Sequence, residues 1–87
     1  MATYRLEFAS TAVRQLGSLP LKIQRRVSTK IEALATEPRP AGCRKLKGPD
    51  DIFRVRVGDY RVLYQVGDDV LLVLVVSVRK RKEAYKK

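Results

Sequence analysis

Arg54, Arg56 and Arg61 fall within the stretch FRVRVGDYRVLYQV, residues 53–66, and a second basic run, RKRKEAYKK, closes the chain. A guanidinium donates forked, charge-assisted hydrogen bonds to phosphate and keeps its charge at ordinary pH, so residues of this type grip anions and stabilise developing negative charge. They do not readily take a proton. The spacing decides whether these arginines act together. Gly58-Asp59 suits the two-residue loop of a type II′ hairpin, with glycine first. In that register Val57 pairs with Tyr60, Arg56 with Arg61, Val55 with Val62, Arg54 with Leu63 and Phe53 with Tyr64. Side chains alternate faces along a strand, so Phe53, Val55, Val57, Tyr60, Val62 and Tyr64 share one face, and Arg54, Arg56, Arg61, Leu63 and Gln65 share the other. Like charges directly opposite are destabilising, in a class of pair terms worth roughly 0.2–1 kcal/mol. A solvated face without a role is the plain alternative. The absence of Asp or Glu among the arginines favours an anionic ligand, and replacing Arg61 is then expected to leave the fold intact or slightly more stable.

Other chemistries are excluded by composition. There is no histidine, and Cys43 is the single cysteine, so a Ser-His-Asp triad, a zinc site and an internal disulfide are all ruled out or nearly so. Cys43 reads as a small apolar loop residue. No glycine-rich phosphate loop occurs, and no metal or cofactor is expected. The 87 residues suit one domain, residues 1–87, with a modest core. Lys and Arg number 19 against 9 Asp and Glu, a net charge of +10, which predicts attraction to polyanions. The apolar content of 45% is that of a folded domain, not a basic disordered tail. The longest apolar run, residues 70–76, is far short of the ~20 residues of a spanning helix, and the start MATYRLEF lacks a signal-peptide core. A cytoplasmic protein without membrane contact is expected.

The elements that must position the arginines follow from periodicity. Residues 3–8 alternate as a short strand. Ser10 or Thr11 can cap a first helix that runs to about Leu16, with Gly17 as its stop. Pro20 suits the first turn of a second helix, in which Ile23, Val27, Ile31 and Leu34 recur at helical spacing until Pro38. The other side of that helix carries Lys22, Arg25, Arg26 and Lys30. Residues 37–51 read as a connecting loop, with Leu46 plugging the core between outward-facing Lys45 and Lys47. After a turn at Gly67-Asp68-Asp69, VLLVLVVSV, residues 70–78, reads as a central strand covered on both faces. The basic tail is either a solvated end or part of the site; Tyr85 argues for the latter, since aromatics are scarce in disordered tails. The sum is an α+β fold, β-α-α-β-β-β, with a small mostly antiparallel sheet. An N-terminal helical hairpin packs on one face, and a short basic C-terminal tail or helix follows.

That order of elements, with KLKG, the GDYRVLY hairpin and the VSVRKRKEAY ending, resembles the RelE/ParE superfamily of bacterial and archaeal toxins over nearly the whole chain. The basic hairpin face and the terminal Arg and Tyr together resemble the RelE branch. The resemblance implies a ribosome-dependent endoribonuclease that cleaves mRNA in the A site, by attack of a ribose 2′-hydroxyl on the adjacent phosphate to give a 2′,3′-cyclic phosphate. By motif position it implies roles for Arg54, Arg56, Arg61, Arg81 and Tyr85, and Lys80 stands where some relatives have His. Lys45, Lys47, Lys80, Lys82, Lys22, Arg26 and Lys30 would add supporting RNA contacts. Some relatives have lysines where this chain has Arg54 and Arg56, and an arginine is a poor proton acceptor. The general base therefore stays open among Lys80, Lys82, Glu83, the Tyr85 phenol and a ribosomal group. A cognate RelB-like antitoxin and operator binding through the joint complex are implied as well. Two other functions compete: a ParE-like inhibitor that binds DNA gyrase, and a non-catalytic RNA- or ribosome-binding module.

Overall fold

A computed structural model describes residues 3–46, 48 and 51–80. The elements run β1 (Arg5–Phe8), α1 (Ser10–Gly17), α2 (Leu21–Ala33), β2 (Arg44–Lys45), β3 (Ile52–Val57), β4 (Tyr60–Gly67) and β5 (Leu72–Lys80). They form one five-stranded sheet in the order β1-β5-β4-β3-β2, antiparallel except for β1 beside β5. The α+β class and the β-α-α-β-β-β order hold. The difference is β2, two residues inside the expected connecting loop, recruited when Arg44 and Lys45 pair with Arg54 and Phe53.

The helix pair covers one face of the sheet. Ala12 of α1, Val27 and Ile31 of α2, and Leu34 just beyond it meet Phe53, Val55, Val62, Tyr64, Val66, Val73, Val75 and Val78 in a single buried cluster. These sheet positions alternate along their strands, which is why the apolar residues of the hairpin collect on one side. Tyr64 is fully buried; its ring stacks on Phe53 at 5.9 Å, and its hydroxyl donates to the Pro38 carbonyl at 2.7 Å. Burial also pushes the Tyr64 phenol pKa upward, with a further contribution from Cys43 beside it. Cys43 packs against the core from the edge, whereas Leu46 is only half-buried.

Three local expectations give way to tertiary structure. Ala9, not Ser10 or Thr11, takes the N-cap position of α1, and no side chain caps it. Gly17 is the last helical residue, one position past the expected end, and Ser18 closes the helix by donating its amide to the Arg14 and Gln15 carbonyls and its hydroxyl to the latter. Strand β5 starts at Leu72, because Val70 and Leu71 are spent in the turn, Leu71 at φ 51°. Its outer face is half-covered only: Leu72 and Leu74 are partly exposed there, while Val73 and Val75 are buried under the helices.

A polar staple secures the end of the molecule remote from the hairpin tip. Asp68 of the β4–β5 turn accepts from both Arg39 nitrogens, at 3.0 and 2.7 Å, and from the Tyr4 hydroxyl at 2.6 Å. Arg39 also lies over the Phe53 ring at 5.1 Å. The Arg39 guanidinium foremost, then the Tyr4 hydroxyl, hold the Asp68 carboxyl at about 2. The loop before β2 is thus tied to the turn before β5.

Candidate functional site

The β3–β4 hairpin has the register its sequence dictates, from Val57 opposite Tyr60 to Ile52 opposite Gln65. Gly58 sits at φ 60° and Asp59 does not enter the positive region, the arrangement of a type II′ rather than a type I′ turn. Because opposed residues share a face, Arg56 and Arg61 project together on the side away from the helices. Next to them, β5 sets Arg79 opposite Arg61, and β2 sets Arg44 opposite Arg54. The face therefore carries one row of three arginines, Arg56, Arg61 and Arg79, and a second row of Arg44, Arg54, Leu63 and Ser77. Carboxylates are absent from both rows. The acid on this face, Glu7 of β1, lies across the sheet and pairs with Arg5 at 3.1 Å.

Exposure differs sharply along the first row. Arg56 and Arg79 are exposed, but Arg61 between them is only 5% exposed. A buried stem contributes packing as well as charge, so the expectation that Arg61 could be removed at no cost, or with a gain, does not suit this environment. Ser77 is 4% exposed in the second row, and its hydroxyl has no hydrogen-bond partner among the described residues.

A bulge in β5 brings Arg79 into line. From Gly67–Leu72 to Tyr64–Val75 the two strands pair in one register, and from Leu63–Ser77 to Tyr60–Lys80 in a register shifted by one residue. The extra residue, Val76, reverses the parity of everything after it. Without it Val78 would oppose Arg61 and Arg79 would face the helices. Strand β1 pairs with β5 only as far as Val75, and beyond that point α1 takes over: the Gln15 side-chain oxygen accepts from the Val78 amide at 2.7 Å.

The remaining sequence-predicted residues are dispersed. Lys45 pairs in register with Phe53, on the helix side, and bridges to Asp51 at 3.0 Å. Lys80, opposite Tyr60, lies on the helix side at the end of β5. Lys22, Arg26 and Lys30 are on α2, with Arg26 and Lys30 turned toward the hairpin tip. Lys47, Arg81, Lys82 and Tyr85 lie outside the described residues. Arg44 and Arg79 were not singled out from sequence. Arg44 needs β2 to exist, and Arg79 needs the bulge.

No group of three or more His, Cys, Asp or Glu side chains suited to a metal occurs among the described residues, and no helix there is long and apolar enough to cross a membrane. The arrangement can hold successive phosphates and stabilise charge on one of them.

Known proteins share the sequence pattern and the fold. Residues 6–85 match the family model described as the ParE toxin of a type II toxin–antitoxin system, parDE. The chain is 30% identical over 83 residues to the mRNA interferase toxin RelE of Escherichia coli K12, covering 93% of this chain and 86% of that one. Its fold superposes on the RelE–RelB complex of Pyrococcus horikoshii with a TM-score of 0.81 at 34% identity, over 91% of this chain and 96% of that one. For the RelBE2 toxin–antitoxin complex of Mycobacterium tuberculosis the TM-score is 0.79 at 31% identity, over 91% and 99%.

Proposed function

The chain belongs to the RelE/ParE family of type II toxins, and on that premise we propose that it is a ribosome-dependent endoribonuclease that cuts mRNA in the A site and so arrests translation. The observation that carries this reading is the Arg56–Arg61–Arg79 row, three arginines set side by side on the sheet face away from the helices. A toxin acting by protein contact alone has no need of such a row, whereas phosphoryl transfer does.

In the proposed reaction the 2′-oxygen of one ribose bonds to the adjacent phosphorus while the bond to the 5′-oxygen of the next nucleotide breaks. The 2′-hydroxyl gives up a proton and the leaving oxygen gains one. Arg61, least exposed and central, is assigned to the phosphate oxygens, where negative charge builds up in the pentacoordinate state. Arg54, Arg56 and Arg79 hold the flanking backbone. The row cannot supply the base. The tail supplies the rest in this reading: Arg81 as a further phosphate clamp, Tyr85 as a stacking surface for a splayed base, with Lys80, Lys82, Glu83 and the Tyr85 phenol as proton carriers. Lys80 ends β5 on its helix side, one residue after Arg79 of the row, and residues 81–85 follow it in sequence. Ribosomal positioning of the substrate accounts for a site that is rich in charge and poor in bases.

The partners proposed are the ribosome and mRNA, with a RelB-like antitoxin as inhibitor, and with operator DNA bound only through the antitoxin complex. The presence of antitoxin in both solved complexes above supports the inhibitor assignment. The name of the matching family model favours one second reading, inhibition of DNA gyrase by protein contact. Mapping mRNA 5′ ends after brief expression, and on programmed ribosomes with purified protein, decides the matter. New ends inside A-site codons are expected. Intact mRNA with inhibited gyrase would establish the second reading, and intact mRNA with toxin bound to ribosomes would mark a non-catalytic binding module.

A further inference from the structure

Beside the arginine row, around the edge of β3, lies a cleft of about 520 Å³ between α2 and the hairpin tip. Its walls include Arg26 and Lys30 from α2 and Arg56 from β3, with Gly58 at one end. The Arg26 guanidinium lies close to the turn: a Cβ built on Gly58 would stand 3.4 Å and 3.7 Å from its two terminal nitrogens and 3.8 Å from its central carbon. That contact is one of shape. The ion pairs among the described residues are Arg5–Glu7, Arg39–Asp68 and Lys45–Asp51, so none of Arg26, Lys30 and Arg56 pairs with a carboxylate of the described residues. Asp59, the acid nearest in sequence to the tip, lines the adjoining hollow with Arg26 and makes no ion pair with it.

Three cations around one cleft repel each other and gain nothing from the fold, which is the pattern of an anion site. Arg56 settles the class of anion. It lines this cleft and also opens the row that leads to Arg61 and Arg79, so one arginine is shared by the cleft beside α2 and the row on the sheet. An isolated anion would use one of the two, and a chain of phosphates uses both. We propose that the cleft formed by Arg26, Lys30 and Arg56 is a second backbone-phosphate site, which holds an RNA phosphate away from the scissile one. The inference rests on the RNA reading above and extends it to a separate surface.

The phosphate could belong to the mRNA or to ribosomal RNA, and one experiment separates the sources. The full-length toxin and its Arg26→Gln/Lys30→Gln variant, which keeps the side-chain stems, are titrated onto programmed ribosomes over a range of salt concentrations. Binding is the readout, with cleavage followed in parallel. The variant is expected to bind on the order of tenfold more weakly. The slope of log affinity against log salt should also become shallower by about 0.7 for each single-strand phosphate released. Arg26→Lys, which keeps the charge, should recover most of the slope. Repeating the titration with neutral methylphosphonate placed at single mRNA positions identifies the source. If one position weakens the wild type and leaves the variant unaffected, the mRNA supplies the phosphate; if none does while the slope difference persists, ribosomal RNA supplies it. An unchanged affinity and slope in a variant that melts like the wild type would overturn the proposal. So would a loss confined to antitoxin affinity, which would make the cleft a protein contact. Wild-type protein that binds ribosomes with a phosphate-dependent slope but cuts nothing would defeat the nuclease reading and leave the cleft standing.

Discussion

Arg56 and Arg61 face one another across the β3–β4 ladder, yet Arg56 is open to solvent and Arg61 is 5% exposed. Two like charges in direct opposition weaken a hairpin, and burial of one of them removes the screening that would soften the repulsion. In the RNA reading proposed above, both arginines face phosphate. Arg61→Ala should lower cleavage by about 10²–10³-fold, the range seen when one stabiliser of transition-state charge is lost. The protein should still fold, with a modest fall in melting temperature because a buried stem is removed. Arg61→Lys should recover stability more fully than activity, since an ammonium lacks the fork. Loss of cooperative melting in both variants would make Arg61 a structural residue.

Arg79 is the third member of the row and is exposed at the end of β5. Arg79→Ala should weaken ribosome binding and cleavage while leaving the melting temperature nearly unchanged, as is usual for exposed positions. Arg44→Ala, one row away, should act in the same direction but less. Equal activity of wild type and Arg79→Ala would confine the site to the hairpin.

The alignment of that row depends on Gln15 through the Val78 amide. Gln15→Ala leaves a part-buried N–H without its partner, a cost of about 1–3 kcal/mol. The expected result is a lower denaturation midpoint together with reduced cleavage, because the bulged register that carries Arg79 is no longer held. Chemical denaturation alongside the cleavage assay checks both.

Asp68 gives the fold an acid-sensitive contact. Its carboxyl titrates at about 2 in the folded protein against ~3.9 in an unfolded chain. A folded-state pKa below the unfolded one gives stability that is fully present above about pH 4 and is lost as the pH falls toward 2. Melting temperature measured across that interval should fall less steeply in Asp68→Asn than in the wild type, after a lower starting value at neutral pH. Parallel curves would show that the Arg39–Asp68 contact adds nothing.

Removing residues 81–87 should leave a folded protein, since β5 from Leu72 to Lys80 and the buried cluster formed by the described residues are retained. Cleavage should drop by about 10²–10⁴-fold, as when a positioned acid–base group or charge stabiliser is taken away. Ribosome binding should fall less, because the row and α2 keep their charges. Undiminished cleavage would reduce the tail to a solvated end.

The hairpin was legible in the sequence because its information is local. Period-two alternation assigns Phe53, Val55, Val62 and Tyr64 to the core and the arginines to the other face, and Gly58 fixes the register through a turn that needs positive φ. The two helices follow in the same way from the apolar spacing of Val27, Ile31 and Leu34 and from Pro20. What the sequence could not decide is what depends on distant segments meeting. Strand β2 exists only because β3 offers Arg44 and Lys45 an edge, and Asp68 meets Arg39 and Tyr4 only when turn, loop and N-terminus converge. The bulge at Val76 is the sharpest case. Residues 72–80 alternate poorly and are apolar throughout most of their length, so pattern alone cannot say which parity faces the helices at the strand's end. Tertiary packing decides it: Val78 is drawn into the core beneath α1, Gln15 takes its amide, and the one-residue slip turns Arg79 out beside Arg61.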